Sequence, residues 1–302
     1  MVSYLKRVYS VAEIRTGFVA SSSLLLGIGY GIYTTDTIYP ILSILLFISA
    51  FAFNIVANIA AEISGYLKQE DTNHQTGHSG SEGLVRGEAS LFDAWSSLIL
   101  FSLIAIGGGL IVTYISHTWT LIVLGAIGFF VAIFYSLTPL AFNKYPVSEF
   151  VSGLMCGSFA FIAGSLIYMN ISVNMVLFSL MPMIMVAFLM AANNTTDYNK
   201  DMGVRTTVAH ILGFERSITI LKPFIILLFA IWIYICSFEL HSLVLLLIGL
   251  LVLVYFGLYK WYIPYSKATQ DMEELSRVYG PLPLALLLPF NFIISIMLII
   301  LR

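Results

Sequence analysis

The chain has 302 residues, of which 59% are hydrophobic and only 10% charged, with a mean hydropathy of +0.95. So few charges cannot cover a water-soluble globule of this size, so the composition excludes that class and indicates a membrane protein. The net charge of −2 gives no basic surface for nucleic acid, and none is expected as a partner. The N-terminus "MVSYLKRVYSVAEIRTGF" has no short apolar core followed by a small-residue cleavage site, so it is read as part of the first structured segment and not as a signal peptide.

Taking about 20 apolar residues per crossing, the chain order predicts nine spans, at 16–36, 40–66, 89–114, 118–137, 148–169, 173–196, 215–237, 241–262 and 280–301. The expectation is an all-α integral membrane bundle forming a single domain over 1–302. Of the fourteen Lys and Arg, all but Arg302 fall on one side of these spans. The positive-inside rule places that side in the cytoplasm of a multi-pass cell-membrane protein, with the C-terminus outside. The longer hydrophilic loops, 67–88, 138–147, 197–214 and 263–279, lie on the same side, so function is expected there. Irregular backbone is not tolerated against lipid, so these loops must cap the bundle or line a cavity open to water.

Two polar clusters stand at that face. In the second span, "FNIVANIAAEISGYLKQEDT" puts Asn54, Asn58 and Glu62 at i, i+4 and i+8 on one helical stripe, with Glu70 and Asp71 following. An ionisable group within a membrane helix is costly and normally faces the bundle interior. The plain alternative is an interhelical clamp, since Asn side chains hydrogen-bond across membrane helices. At the end of the sixth span, "NNTTDYNKDMGVRTTVAHILG" places Asn193, Asn194, Asp197 and Asp201 along a face, with Lys200 and Arg205 just beyond. The alternative there is an ordinary solvated helix end, but paired Asn residues are not needed for that. Two carboxylates four apart with amide oxygens form a hard-oxygen patch suited to Mg²⁺, which completes its shell with water and substrate phosphate. Lys and Arg nearby suit phosphate oxygens.

The remaining chemistry-bearing residues receive structural readings. Cys156 and Cys236 lie inside apolar runs without C-x-x-C spacing and are expected to pack. The five His are scattered and lack ligand spacing. Gly107, Gly108 and Gly109 are expected to permit close helix approach, because no strand precedes them. A transporter is disfavoured, since the polar clusters lie at one face and not at the midplane.

The stretch "NNTTDYNKDMGVRTTVAHILG" resembles the second aspartate motif of the UbiA superfamily of intramembrane prenyltransferases, particularly the MenA-type (1,4-dihydroxy-2-naphthoate polyprenyltransferase) branch. "EIRTGFVASSSLLLGIGYGIY" and "YSLTPLAFNKYPVSEFVSG" are similar to other segments of that branch. The first motif departs from the family pattern N-D-x-x-D: aligned through Asp71 and Thr72, the chain reads Ala61, Glu62, Ile63, Ser64, Gly65. Read one turn earlier, Asn54, Asn58 and Glu62 have a spacing like the relaxed first motif of UbiA-type terpene cyclases.

The resemblance implies nine helices around a central cavity and a Mg²⁺-dependent transfer of a polyprenyl group from its diphosphate to an aromatic quinone precursor, as in menaquinone biosynthesis. It implies Asp197, Asp201 and Glu62 as catalytic. The metal would be held by Asp197, Asp201, Asn193, Asn58 and Glu62, and the diphosphate by Lys144, Lys200, Arg205 and Arg86. Asn54, Asn194, Asp71 and Tyr135 would support them. Two other functions remain open: a terpene cyclase that ionises the diphosphate without an aromatic acceptor, and a non-catalytic homologue that binds an isoprenoid or quinone.

Overall fold

The computed structural model describes residues 4–14, 16–68, 83–199, 201–267 and 282–302. A short helix, α1 (Tyr4–Ala12), precedes α2 (Phe18–Thr35), α3 (Pro40–Leu67), α4 (Leu91–Ser116) and α5 (Thr120–Phe134). There follow α6 (Ser148–Leu166), α7 (Val173–Thr196), the short α8 (Val208–Leu212), α9 (Phe214–Leu240), α10 (Leu243–Lys267) and α11 (Pro283–Ile300). Among the described residues there is no strand. Among the described residues, eight helices are long and apolar enough to cross a membrane; α5, with 15 residues, is a shorter apolar helix. The fourth predicted span, 118–137, is thus cut back at Phe134, where the chain turns. Fifteen residues rise about 22 Å, short of the roughly 30 Å hydrocarbon core.

Apolar residues face both lipid and neighbouring helices, so burial alone does not hold such a bundle together; close backbone approach does. Gly27 of α2 and Gly164 of α6 are the clearest case. A Cβ on Gly27 would fall on the Phe161 carbonyl, and one on Gly164 on the Leu24 carbonyl. At the next contact, Cβ atoms on Gly153 and Gly157 of α6 would stand 2.6 and 2.5 Å from backbone atoms of Met183 in α7. Along this contact, α6 has π-helical geometry over Gly153–Phe159. Gly164→Leu is therefore expected to push α2 off α6. Overpacking costs about 1–3 kcal/mol, to be read as a lower melting temperature and loss of the monodisperse peak in detergent.

Buried polar groups tie other helices. Asn291 of α11, fully buried, donates from Nδ2 to Ser22 Oγ of α2 at 3.1 Å. Trp232 of α9 donates from Nε1 to the Leu246 carbonyl of α10 at 3.2 Å. Of the glycine triplet, only Gly108 makes the expected close approach, against Ser49 of α3.

The segment 83–88 before α4 and the loops after α5 and α7 share one end of the bundle with α1, and a separate apolar cluster fixes α1 there. Val8 and Val11 pack with Ile55, Ile59 and Ile63 of α3, and with Leu84. The cluster is reinforced by the ion pair of Arg7 Nε with Asp93 Oδ1 at 3.1 Å. Asp93 also closes the capping box of α4, accepting from Ser90 N at 3.0 Å.

Candidate active site

A cavity of about 1070 Å³ opens at the loop end and runs down between the helices. Its mouth is polar, bordered by Asn193, Asn194, Asp197, Asp201 and Arg205 on one side, and by Lys6, Glu13, Arg86 and Glu88 on the other. Deeper, the lining becomes apolar, with Val19, Phe53, Val131, Met155, Val186 and Leu189.

The second cluster is built by the end of α7 and the turn beyond it. Helix α7 stops at Thr196, so Asp201 is not on a helical face as the spacing suggested. Asp197 is the capping residue, its N–H bonded to the Asn193 carbonyl at 2.9 Å, and the Asp201 N–H is bonded to the Asp197 carbonyl at 2.9 Å. This i→i+4 step continues the winding for one more turn and brings both carboxylates to the mouth. Asp201 is 5% exposed. Its Oδ1 is 3.6 Å from Arg205 Nε, while its Oδ2 is buried with no hydrogen-bond partner. An unpartnered buried carboxylate oxygen is costly unless something else satisfies it.

Three contacts that the sequence did not announce hold this turn. The His210 ring stacks on Tyr198, centroids 4.7 Å apart, with Nε2 2.9 Å from the Tyr198 carbonyl and Nδ1 2.9 Å from Thr207 Oγ1. The Thr206 N–H donates to the Lys144 carbonyl at 2.9 Å, joining this turn to the loop after α5. Buried Glu149, at the start of α6, accepts from Asn194 Nδ2 at 2.8 Å and from Ser148 Oγ at 3.0 Å. Asn194 is thereby a brace between α7 and α6, facing the cavity from a fixed position.

Asn143 is a cavity residue that no sequence motif singled out. Its Nδ2 donates to Ser136 Oγ at 3.1 Å, and its Oδ1 is buried without a partner. Sequence signal for it was confined to its place in the "YSLTPLAFNKYPVSEF" stretch. Tyr135 lines the cavity, its hydroxyl accepting from Ser152 Oγ at 2.8 Å.

The first cluster is divided. Asn54 and Asn58 line the cavity, but Glu62 does not. Each i+4 step overshoots a full turn by about 40°, so two steps carry Glu62 about 80° round α3 and Ala61 takes the cavity-facing place. Glu62 instead accepts the Leu84 N–H at 2.8 Å, anchoring the segment that carries Arg86 and Glu88. Asn58 donates from Nδ2 to Thr16 Oγ1 at 2.7 Å and to the Ala12 carbonyl at 3.2 Å, holding the turn that leaves α1. It is a clamp as well as a lining residue. Asn54 donates to Cys156 Sγ at 3.7 Å. Arg86 lines the mouth, paired with Glu88 at 3.0 Å. Lys144 meets the site through its carbonyl, and its side chain is not in the lining. Glu70, Asp71 and Lys200 lie outside the described residues.

Among the described residues no group of three His, Cys, Asp or Glu is gathered closely enough to hold a metal ion by itself. The buried, unpartnered oxygens of Asp201 and Asn143 are nonetheless hard donors of the kind a small divalent cation takes, provided an anionic ligand completes the shell.

A model of the UbiA prenyltransferase family matches residues 79–279, more than half of the chain. The chain belongs to the UbiA prenyltransferase family, and is a multi-pass membrane member of it. No curated protein sequence matches it. Among solved structures, a UbiA homolog from Archaeoglobus fulgidus bound to GPP and Mg²⁺ has a TM-score of 0.67 at 17% identity, covering 93% of this chain and 99% of that one. An apo UbiA homolog from Aeropyrum pernix K1 has a TM-score of 0.67 at 18% identity, covering 94% and 97%. A digeranylgeranylglyceryl phosphate synthase has a TM-score of 0.62 at 13% identity, covering 99% of each. At these identities the likeness is one of fold.

Proposed function

We propose that the protein transfers a prenyl group from a prenyl diphosphate to an aromatic quinone precursor of the dihydroxynaphthoate kind, at a site opening to the cytoplasm. The observation that carries the reading is the buried, unpartnered Oδ2 of Asp201 at the polar mouth of a cavity that turns apolar below. A diphosphate with an isoprenoid tail has the same division. The MenA-type branch is favoured by the resemblance of "NNTTDYNKD" and "YSLTPLAFNKYPVSEF" to its motifs. The Archaeoglobus fulgidus relative binds GPP and Mg²⁺, and the hard oxygens of the mouth in this chain fit that ion.

In this reading Asp197 and Asp201 would hold Mg²⁺, and the amide oxygens of Asn143 and Asn193, which line the same cavity, would be available to it. Mg²⁺, when bound, offsets the charge that develops on the departing diphosphate. Arg205 and Arg86 face the diphosphate oxygens from opposite sides of the mouth and stabilise the same charge. The allylic C–O bond breaks and its electron pair leaves with diphosphate. The aromatic ring of the acceptor supplies the pair for the new C–C bond and then loses its ring proton. The apolar shaft keeps water from the allylic cation, and Tyr135 presents an aromatic wall to it. Glu62 and Asn58 act by holding the segments 83–88 and 12–16 across the mouth.

The test is purified protein with Mg²⁺, a panel of prenyl diphosphates and dihydroxynaphthoate, following both diphosphate release and product. Prenylated naphthoate is the expected result. Diphosphate release with a hydrocarbon or terpene alcohol instead would identify a cyclase. A retained isoprenoid with no release from any donor would identify a binding protein.

A further inference from the structure

A second, smaller cavity of about 140 Å³ lies below the first, and the two share Ala20, Phe53, Gly128 and Met155. On α3 the upper cavity is lined by Phe53, Asn54, Ala57, Asn58 and Ala61, and the lower by Leu46, Ser49, Ala50 and Phe53. This is one uninterrupted i, i+3, i+4 face. On α5 the upper set is Gly128, Val131, Ala132 and Tyr135, and the lower is Leu121, Leu124, Gly125 and Gly128, again a single stripe. Two helices therefore line both cavities with one continuous face each. The cavities are contiguous along these faces, and Phe53 and Met155 are the large side chains common to both.

The lower chamber is kept open by its glycines. A Cβ on Gly109 or Gly125 would meet nothing within 4 Å, in contrast to Gly27 and Gly164, whose missing Cβ atoms make room for backbone. Among the described residues the only polar side chain in this lining, Ser49, bonds back to the Leu45 carbonyl at 2.9 Å. An apolar cavity of about 150 Å³ accepts one benzene ring, so this chamber is of the size for one five-carbon isoprene unit.

We propose that this chamber receives the terminal isoprene unit of the donor, and that Phe53 and Met155 with the glycine floor set the preferred chain length. The inference rests on the prenyl-donor reading above. From Asn58 to Leu46, α3 runs twelve residues, about 18 Å. An extended isoprene repeat of four chain bonds covers about 5 Å. The two cavities together thus hold about three to four units, and geranylgeranyl diphosphate fills them to the end.

The test compares geranyl, farnesyl, geranylgeranyl and octaprenyl diphosphates, reading thermal stabilisation by their unreactive thio-diphosphate analogues as well as diphosphate release. Wild-type protein is expected to favour geranylgeranyl. Gly125→Leu, whose side chain enters open space and leaves helix packing alone, is expected to weaken geranylgeranyl about tenfold while leaving geranyl unchanged. Phe53→Ala is expected to widen the range towards octaprenyl. An unchanged length profile in both variants would overturn the chamber assignment while leaving the donor reading intact. Failure of every prenyl analogue to stabilise wild-type protein would overturn both.

Discussion

Asp201→Asn is expected to lower diphosphate release about 10²- to 10³-fold, the loss typical when one preorganised group facing developing charge is removed. The substitution keeps the size of the side chain but gives up its ion pair with Arg205, whose Nε stands 3.6 Å from Oδ1. It removes the charge and places an NH₂ or a neutral oxygen where the buried Oδ2 now has no partner. Folding should change little, because the ion pair given up is with a partly exposed Arg205 and the Oδ2 without a hydrogen-bond partner is itself a cost to the folded state. The result therefore separates a functional carboxylate from a structural one: thermal stability held, Mn²⁺ binding in the presence of a prenyl thio-diphosphate weakened, turnover lost. Glu62→Gln is the paired control. The Gln oxygen still accepts the Leu84 N–H, now 2.8 Å from Oε1, so turnover is expected to stay within about tenfold of wild type. If the two variants lost activity equally, the division of labour between α7 and α3 would be wrong.

That division marks where the sequence could be read and where it could not. The long helices follow from apolar runs that leave no other way to satisfy backbone groups in lipid, and their order and approximate ends are as the pattern implies. "NNTTDYNKD" could be read as a candidate cluster because five amide or carboxylate side chains fall within nine residues and local winding suffices to gather them. Glu62 was misplaced by treating i, i+4, i+8 as a straight line, when α3 rotates it away from Asn54 and towards the segment after the loop. Asn143 and Glu149 could be read only as members of the "YSLTPLAFNKYPVSEF" stretch, and His210 only as one of five scattered His, for a different reason. Glu149 and His210 act through partners on another segment: Asn194 lies 45 residues from Glu149, and Tyr198 lies 12 from His210, while Asn143 bonds to Ser136 seven residues back. The π-helical stretch of α6 is invisible in the same way; it coincides with the close pass of Gly153 and Gly157 against Met183 on another helix. The chamber beneath Phe53 shows the reverse case. Its stripes are regular on α3 and α5, but only the neighbouring helices decide whether a glycine makes room for a backbone or leaves a cavity.

The second large effect is expected at Glu149, a residue that does not line the cavity. Its carboxylate is 7% exposed and accepts from Asn194 Nδ2 and Ser148 Oγ. Glu149→Ala removes the acceptor that Asn194 and Ser148 share and leaves Asn194 Nδ2 only its longer bond to Ser148 Oγ at 3.3 Å, at about 1–3 kcal/mol, and loosens Asn194 at the position where α7 delivers Asn193 and Asp197. If that cost falls on the reacting geometry, the rate drops about 5- to 150-fold, with the affinity for a prenyl thio-diphosphate reduced in step because the same oxygens are displaced. Glu149→Gln keeps an acceptor for Asn194 and is expected to recover most of the loss, which a role for Glu149 in carrying a proton or binding the ion would not allow. A double variant with Asn194→Ala supplies the decisive comparison. If Glu149 works by bracing Asn194, the two losses are not additive, and the double variant is little worse than Glu149→Ala alone. Full additivity would place Glu149 in contact with the reaction by another route. The reason for expecting coupling is geometric: the 2.8 Å bond from Asn194 to Glu149 joins α7 to α6 one turn before Gly153 on α6, whose own close approach is to Met183 further back on α7, so the polar brace and the glycine approach hold the same pair of helices, and the carboxylates of the mouth stand at the end of the helix they hold.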